Sequence, residues 1–259
     1  MTPALFVRAA SRLGAAIADT LWPRSCGACG ERLDPGPPPP CGLCADCAAS
    51  LAPLRTGPVC RRCAAPLEPA GQRCPDCRHL PPALRGVRAA FRYEGALVDA
   101  VLRLKHKGRT DAAGPLGAAL APLVRELQQG GEPAPLLVPV PLHARRLAER
   151  GYNQATLLAA AARAALPKDL RPALDLSLLV RTREGLAGRT GSARARRQSA
   201  QQAFTVPPRA APRLAGRRVL LLDDVVTTGA TVAACAEALD AAGAAEVYAV
   251  ALLRARLGP

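Results

Sequence analysis

From residue 87 onward, short apolar runs alternate along the chain with longer Ala/Leu-rich stretches whose apolar positions recur at helical spacing. The short runs predict strands at VRAAFRY (87–93), LLVPV (136–140), SLLV (177–180), RVLLL (218–222) and EVYAVALL (246–253). The longer stretches predict helices over 95–109, 111–129, 154–166, with Asn153 as its N-cap, and 231–243. This alternation predicts a doubly wound α/β fold with a mostly parallel sheet.

The VLLL run at 219–222 is apolar throughout, as expected for a central strand that is covered on both faces. VRAAFRY alternates instead, which predicts an edge strand. In open α/β sheets, ligands bind beyond the carboxyl ends of the strands. Asp223 and Asp224 directly follow the VLLL run and are therefore predicted to lie at a binding site.

The segment after these acids, TTGAT at 227–231, leads into a predicted helix. It offers hydroxyls, backbone N–H groups and a positive helix terminus to a phosphate. A site for phosphate alone would avoid two neighbouring carboxylates. A ribose 5-phosphate explains both features, because its phosphate fits the loop and its hydroxyls donate to ionised acids. The alternative is an acid-rich turn that binds no ligand.

Nine of the ten cysteines lie before residue 78, and eight of these form four Cys-x-x-Cys pairs separated by 14, 12 and 10 residues. Each pair can present two thiolates to one tetrahedral ion, so four pairs predict two structural Zn²⁺ ions in a double zinc ribbon. The spacing leaves open whether consecutive or interleaved pairs share an ion. The predicted ligands are Cys26, Cys29, Cys44, Cys47, Cys60, Cys63, Cys74 and Cys77.

Cys41 is left over from this scheme. With Cys44 and Cys47 it makes a Cys-x-x-Cys-x-x-Cys run, which keeps an iron–sulfur cluster as an alternative, although the fourth cysteine and the proline of the bacterial pattern are missing. Disulfides are another alternative, less favoured in a reducing compartment. Closed four-thiolate zinc sites are seldom catalytic, so the ribbon is expected to stabilise the fold or to dock a partner.

Composition divides the 259-residue chain into a Cys-rich first part and an Ala/Leu/Val-rich remainder. We predict an amphipathic helix over 1–22, a Cys-rich ribbon domain over 23–82 and an α/β domain over 83–259. The first segment is not predicted to be a signal peptide, because Arg8 and Arg12 interrupt its apolar run. No stretch reaches the roughly 18 apolar residues of a transmembrane segment, so a cytoplasmic location is expected.

The net charge of +15 favours a polyanionic partner such as nucleic acid or a phosphorylated metabolite, although a GC-rich genome also produces Arg-rich chains. Aromatic residues make up only 3% of the chain, which argues against a base-stacking surface for single strands. Any nucleic-acid surface is therefore expected to bind phosphates.

The segment VLLLDDVVTTGAT (219–231) resembles the PRPP-binding motif of type I phosphoribosyltransferases. The resemblance implies the fold of these enzymes over 83–259 and a Mg²⁺-dependent phosphoribosyltransferase, in which Asp223 and Asp224 are the catalytic acids that hold the ribose. The residues that it implies for PRPP binding are Asp223, Asp224, Val225, Val226, Thr227, Thr228, Gly229, Ala230 and Thr231.

Together with the Cys-rich ribbon, the segments YEGALVDAVLRLKHKGR and LLVPVPLHARRLAERGYNQA resemble the ComF/GntX family, proteins linked to DNA uptake in competent bacteria. In that family the second segment looks like the pyrophosphate loop and its hood. The arginines of HARRLAERG suit bidentate phosphate contacts, and the alternative is that this segment is a solvated basic helix start. For Lys105 and Lys107 the alternative is that they are surface lysines at a helix end. The implied diphosphate contacts are His143, Arg145, Arg146, Arg150, Lys105 and Lys107.

The chain departs from the family at RTREGLAGRTGSARARRQSAQQAF, where Gly188, Gly191 and Ser199 replace the usual Gln, Leu and Asn. This loop is expected to close over the substrate, so the contacts to the acceptor stay open. Purine-salvage enzymes of this fold are similar in having an Asp where Thr227 stands, so the resemblance favours another acceptor or none.

Two hypotheses from other functional classes remain. One is a non-catalytic protein of the same fold that binds single-stranded DNA in uptake or recombination, and the other is an adaptor whose zinc ribbons dock other DNA-uptake proteins.

Overall fold

The computed structural model describes residues 24–34, 40–51, 53–54, 57–67, 74, 77, 80–129, 134–183 and 203–255. The predicted amphipathic helix over 1–22 and the family-divergent positions Gly188, Gly191 and Ser199 lie outside the described residues. Short 3₁₀ turns connect several of the regular elements. In chain order, these elements are α1 (Ala45–Ala49), β1 (Leu84–Arg92), α2 (Ala96–His106), α3 (Ala113–Ala118), α4 (Ala121–Gln128), β2 (Leu136–Pro139), α5 (Ala144–Arg150), α6 (Gln154–Ala164), β3 (Ala173–Leu174), β4 (Val180–Arg181), β5 (Phe204–Thr205), α7 (Ala211–Leu214), β6 (Arg218–Val226), α8 (Ala230–Ala241) and β7 (Glu246–Arg254).

The main sheet has five parallel strands in the order β1-β7-β6-β2-β3. The doubly wound prediction is confirmed, and so are the edge position of VRAAFRY in β1 and the central position of VLLL in β6. Asn153 caps α6 as predicted, because its Oδ1 accepts the N–H of Ala155 at 3.0 Å. Alternate residues of β6 enter two separate apolar cores, one on each face of the sheet.

Two sequence predictions are wrong in detail. Only Val180 of the predicted strand SLLV is in a strand, β4, which pairs antiparallel with β5 outside the main sheet. A turn precedes it, in which the N–H of Ser177 donates to Asp175 at 2.9 Å, and the strand that joins the main sheet is β3. The predicted helix over 111–129 is divided into α3 and α4, because Pro122 in the first turn of α4 has no N–H to continue a helix from α3.

The Cys-rich segment straddles the β1 edge of the sheet. Cys26, Cys41 and Leu43 pack in the core that contains α2 and α3, whereas Cys63 and Leu80 pack in the core on the other face. Both faces of the sheet are thus partly covered by the ribbon. Within the described residues, no helix is long and apolar enough to cross a membrane.

Candidate functional site

The two predicted site acids lie within β6 rather than after it. The neighbouring strand β2 ends at Pro139, opposite Leu222, so β6 extends past it from Asp223 to Val226. Strand β7 continues to pair with this extension on the other side, up to Arg254 opposite Val226. The acids therefore have no strand beside them on the β2 side, where they lie at the carboxyl edge of the sheet. On the other side they are still flanked by β7.

Both carboxylates are almost fully buried, with 9% of Asp223 and 3% of Asp224 exposed. Adjacent residues in a strand point to opposite faces, and Asp224 accordingly forms an ion pair with Lys105 in the last turn of α2. Asp223 accepts the backbone N–H of Asp224 at 2.9 Å. Burial, and then the charge of Asp224, raise the pKa of Asp223 well above its ordinary value. The two carboxylates together therefore have less positive charge around them than their full ionisation would need.

The predicted phosphate loop connects β6 to α8. Gly229 has φ +80°, a backbone conformation that favours glycine, and a Cβ at this position would lie 2.9 Å from Cδ2 of Leu80, so the methyl group of Leu80 would have to move to admit a side chain. The hydroxyl of Thr228 accepts the N–H of Ala230 at 3.2 Å. The other first-turn amides of α8 have no acceptor within the helix, which leaves them suited to an anion.

Lys105, which contacts Asp224, also lines an open cleft of about 380 Å³. Of the other predicted diphosphate contacts, Arg146 and Arg150 line this cleft. The hydroxyl of Tyr152 donates to the carbonyl of Leu104, which fixes the end of α5 against α2. The remaining lining residues are His106, Gly108, Glu149 and Tyr152.

The other three predicted diphosphate contacts are placed differently. His143 caps α5, its Nδ1 accepting the N–H of Arg145 at 3.3 Å. Arg145 forms an ion pair with Glu149 at 2.9 Å. Lys107 is exposed at the end of α2, and none of these three lines the cleft.

The eight paired cysteines form two clusters, and consecutive pairs share a cluster. Within each cluster the four sulfur atoms lie within 4.8 Å of one another. The Sγ–Sγ distances include 3.8 Å for Cys29–Cys44 and 3.7 Å for Cys60–Cys77. Tetrahedral Zn–S bonds of about 2.3 Å separate two sulfurs by about 3.8 Å, so both clusters fit zinc.

The thiols of this second cluster are harder to ionise together without a cation. Desolvation, then the hydrogen bond with Cys60 and the charge of Cys60, raise the pKa of Cys77 to about 11. A divalent cation removes that obstacle. Cys41 lies outside both clusters, buried in a left-handed turn with φ 55°.

Comparison with known proteins agrees with this architecture. The family described as "Double zinc ribbon domain" matches residues 17–78, and "Phosphoribosyl transferase domain" matches residues 152–258. The chain is 31% identical to the DNA utilization protein YhgH of Escherichia coli K12, over 82% of this chain and 90% of that protein. It is 29% identical to Competence protein F of Haemophilus influenzae, over 83% and 91%.

The chain belongs to the ComF/GntX family. The type I phosphoribosyltransferase fold and the amino-terminal double zinc ribbon both follow from this membership. Among solved structures, a hypoxanthine phosphoribosyltransferase from Staphylococcus aureus aligns over 56% of this chain and 64% of its own, at 16% identity and a TM-score of 0.35. That likeness is too weak to support any inference.

One residue of this ComF/GntX chain that sequence reasoning missed lies against the site. Arg254, the last residue of β7, is only 2% exposed and donates to the carbonyls of Val226 and Thr227 at the start of the phosphate loop. Its only sequence signal is a charged residue at the end of the apolar run EVYAVALL.

Proposed function

We propose that this ComF/GntX protein binds PRPP, or another ribose 5-phosphate ligand, and transfers its phosphoribosyl group in a Mg²⁺-dependent reaction. The observation that carries the proposal is the buried pair Asp223 and Asp224, placed directly before a loop whose amides favour an anion. A buried carboxylate pair beside a phosphate is stable only if hydroxyl donors or cations lie between them.

The charges of the site support this ligand. Within the described residues, Lys105 is the cation that contacts the acid pair, so the pair retains excess negative charge when both acids are ionised. The ribose hydroxyls of PRPP would donate to these oxygens, and its 5-phosphate would meet the first turn of α8. The cleft beside Lys105 offers Arg146 and Arg150 to the diphosphate.

The donor set also fits Mg²⁺, which prefers hard oxygen ligands and is commonly held by one or two carboxylates together with substrate phosphates. A carboxylate oxygen of the Asp223–Asp224 pair would hold it together with oxygens of the ligand. When bound, Mg²⁺ supplies positive charge to the leaving diphosphate. The two acids would accept hydrogen bonds from the ribose hydroxyls, and their charge would stabilise the positive charge that develops at C1.

The test is calorimetric titration of the zinc-loaded protein with PRPP and with ribose 5-phosphate, each with and without Mg²⁺. Pyrophosphate release is then measured with a panel of bases, amines and DNA as acceptors. Binding of both ligands with Mg²⁺-enhanced affinity for PRPP is expected, and pyrophosphate release identifies the acceptor. If neither PRPP nor ribose 5-phosphate binds, the proposal is refuted.

A second candidate function is binding of single-stranded DNA, supported by the net charge of +15 and by the names of the relatives, a DNA utilization protein and a competence protein. Such binding would be electrostatic, because the chain has few aromatic residues. Affinity should then fall steeply with salt. An affinity that is unchanged between low and moderate ionic strength would exclude a phosphate-binding surface.

A further inference from the structure

The second cysteine cluster and the phosphate loop are joined by one buried guanidinium. The Nε of Arg254 donates to the carbonyl of Cys63 at 2.9 Å, and its Nη2 lies 3.9 Å from the Sγ of the same cysteine. Its Nη1 donates to the carbonyls of Val226, at 3.3 Å, and Thr227. A single buried side chain thus contacts a predicted zinc ligand on one side and the start of the loop on the other.

A second contact joins the same two parts. Arg62, between the two cysteines of the third Cys-x-x-Cys pair, donates to the carbonyls of Leu80 at 2.9 Å and Pro81 at 3.1 Å. This fixes the backbone of Leu80, whose side chain packs against Gly229. The cluster is therefore linked to the beginning of the loop through Arg254 and to its middle through Arg62 and Leu80.

The charge of Arg254 matches a metal-loaded cluster. A guanidinium that is 98% buried needs negative charge nearby, and Zn²⁺ with four thiolates carries a net charge of about −2. Donors that contact the ligands of a metal ion in this way orient those ligands and stabilise the charge of the site. The cluster and the guanidinium therefore stabilise each other, and the guanidinium fixes the loop carbonyls.

We propose that Arg254 is a positioning residue that couples the metal-loaded cluster of Cys60, Cys63, Cys74 and Cys77 to the phosphate loop, so that the loop is ordered for its ligand only when this cluster is intact. The proposal concerns the loop of the proposed function and rests on that function only for the identity of the ligand.

The test is hydrogen exchange of the loop amides at 226–231, measured before and after zinc chelation in the parent protein and in Arg254→Met, which keeps an apolar stem but has no donors. In the parent, chelation should accelerate loop exchange by roughly 10- to 100-fold. Zinc-loaded Arg254→Met should already exchange at about the accelerated rate, and chelation should add little. This non-additivity is the signature of coupling.

Two further variants control for general loss of structure. Arg171→Met removes another arginine that donates to two backbone carbonyls, those of Leu166 and Ala164, but lies just before the opposite edge strand, β3. This variant should leave loop exchange at the parent level. Arg254→Lys retains the charge and should give an intermediate rate. If chelation also accelerates exchange in β2 and α6, the loop exchange rates of the two zinc-loaded variants are compared instead. Slower exchange in Arg254→Lys than in Arg254→Met supports the coupling, and equal rates contradict it.

Additive effects of chelation and Arg254→Met, or loop exchange in Arg254→Met at the parent rate, would overturn the coupling. Ribose 5-phosphate affinity, measured by calorimetry, should fall about 10-fold or more in Arg254→Met and partly recover in Arg254→Lys. If the parent protein binds no ribose 5-phosphate while the exchange effects remain non-additive, the proposed function fails and the coupling stands. If the parent protein binds ribose 5-phosphate but the exchange effects are additive, the proposed function stands and the coupling fails.

Discussion

The ammonium group of Lys105 contacts the buried carboxylate of Asp224 and so joins the end of α2 to the central strand of the sheet. Lys105 also lines the neighbouring cleft. This ion pair lies where the two halves of the proposed ligand, ribose and diphosphate, would meet. Its removal should affect both stability and binding, and the two effects can be separated.

Lys105→Met should lower the free energy of unfolding by about 1–3 kcal/mol, because it leaves Asp224 buried without its cation while Lys105 itself is partly screened by solvent. Lys105→Met/Asp224→Asn should recover most of that stability, because the unpaired charge is gone. PRPP affinity should stay low in both variants. Thermal melting and calorimetry check this, and equal stability of Lys105→Met and the parent would contradict it.

Asp223→Asn should stabilise the ligand-free protein at neutral pH. The pKa of Asp223 is raised by burial and by Asp224, so its ionisation opposes folding, and the stability associated with its protonated form is lost as pH rises through that raised pKa. We expect a gain of about 1 kcal/mol, or roughly 2–4 °C in Tm, that shrinks as pH falls. Melting curves across pH, without added Mg²⁺, measure it. A stability gain that grows as pH falls would contradict the prediction.

The double variant Asp223→Asn/Asp224→Asn should abolish PRPP binding with little loss of fold. Amides keep the size of the side chains but remove charge-assisted acceptors, each hydrogen bond of this kind contributing about 1.5–3 kcal/mol. Affinity should fall by roughly two to four powers of ten. Calorimetry with circular dichroism as the control for folding tests this, and parent-like affinity would refute the assignment of the site.

Thr228 and Arg146 should contact different phosphate groups of the ligand. Thr228→Val should weaken ribose 5-phosphate and PRPP alike, since the loop serves the phosphate that both ligands carry. Arg146→Ala should weaken only PRPP, by roughly 10- to 100-fold, because its cleft would hold the diphosphate. Arg145→Ala is the matched control, since Arg145 pairs with Glu149 and does not line the cleft. Equal losses in Arg145→Ala and Arg146→Ala would contradict this partition.

Metal analysis should find two zinc ions per chain, and Cys41→Ser should retain both because Cys41 lies outside the two clusters. Cys29→Ser should lose one zinc, since its cluster then has three thiolates. An iron–sulfur absorption band that disappears in Cys41→Ser, or one zinc in the parent protein, would overturn the two-zinc assignment.

Elements and chemistry that depend on local spacing could be predicted from the amino-acid sequence. Period-two and helical patterns specify which residues can face a core, so the parallel sheet, its edge strand β1 and its central strand β6 were predictable. The Cys-x-x-Cys pairs and the TTGAT loop after two acids are equally local. The domain limits and the roles of the site residues, which the sequence proposed, stay predictions.

The folded structure was needed to show which distant residues meet. It assigned consecutive cysteine pairs to each cluster, placed the two clusters on opposite faces of the sheet, and paired Asp224 with Lys105 rather than Lys107. It also brought Arg254 to Cys63, 191 positions away in the chain. Local pattern cannot specify such pairs, because burial and charge compensation are properties of the packed cores on the two faces of the sheet, where residues far apart in sequence become neighbours.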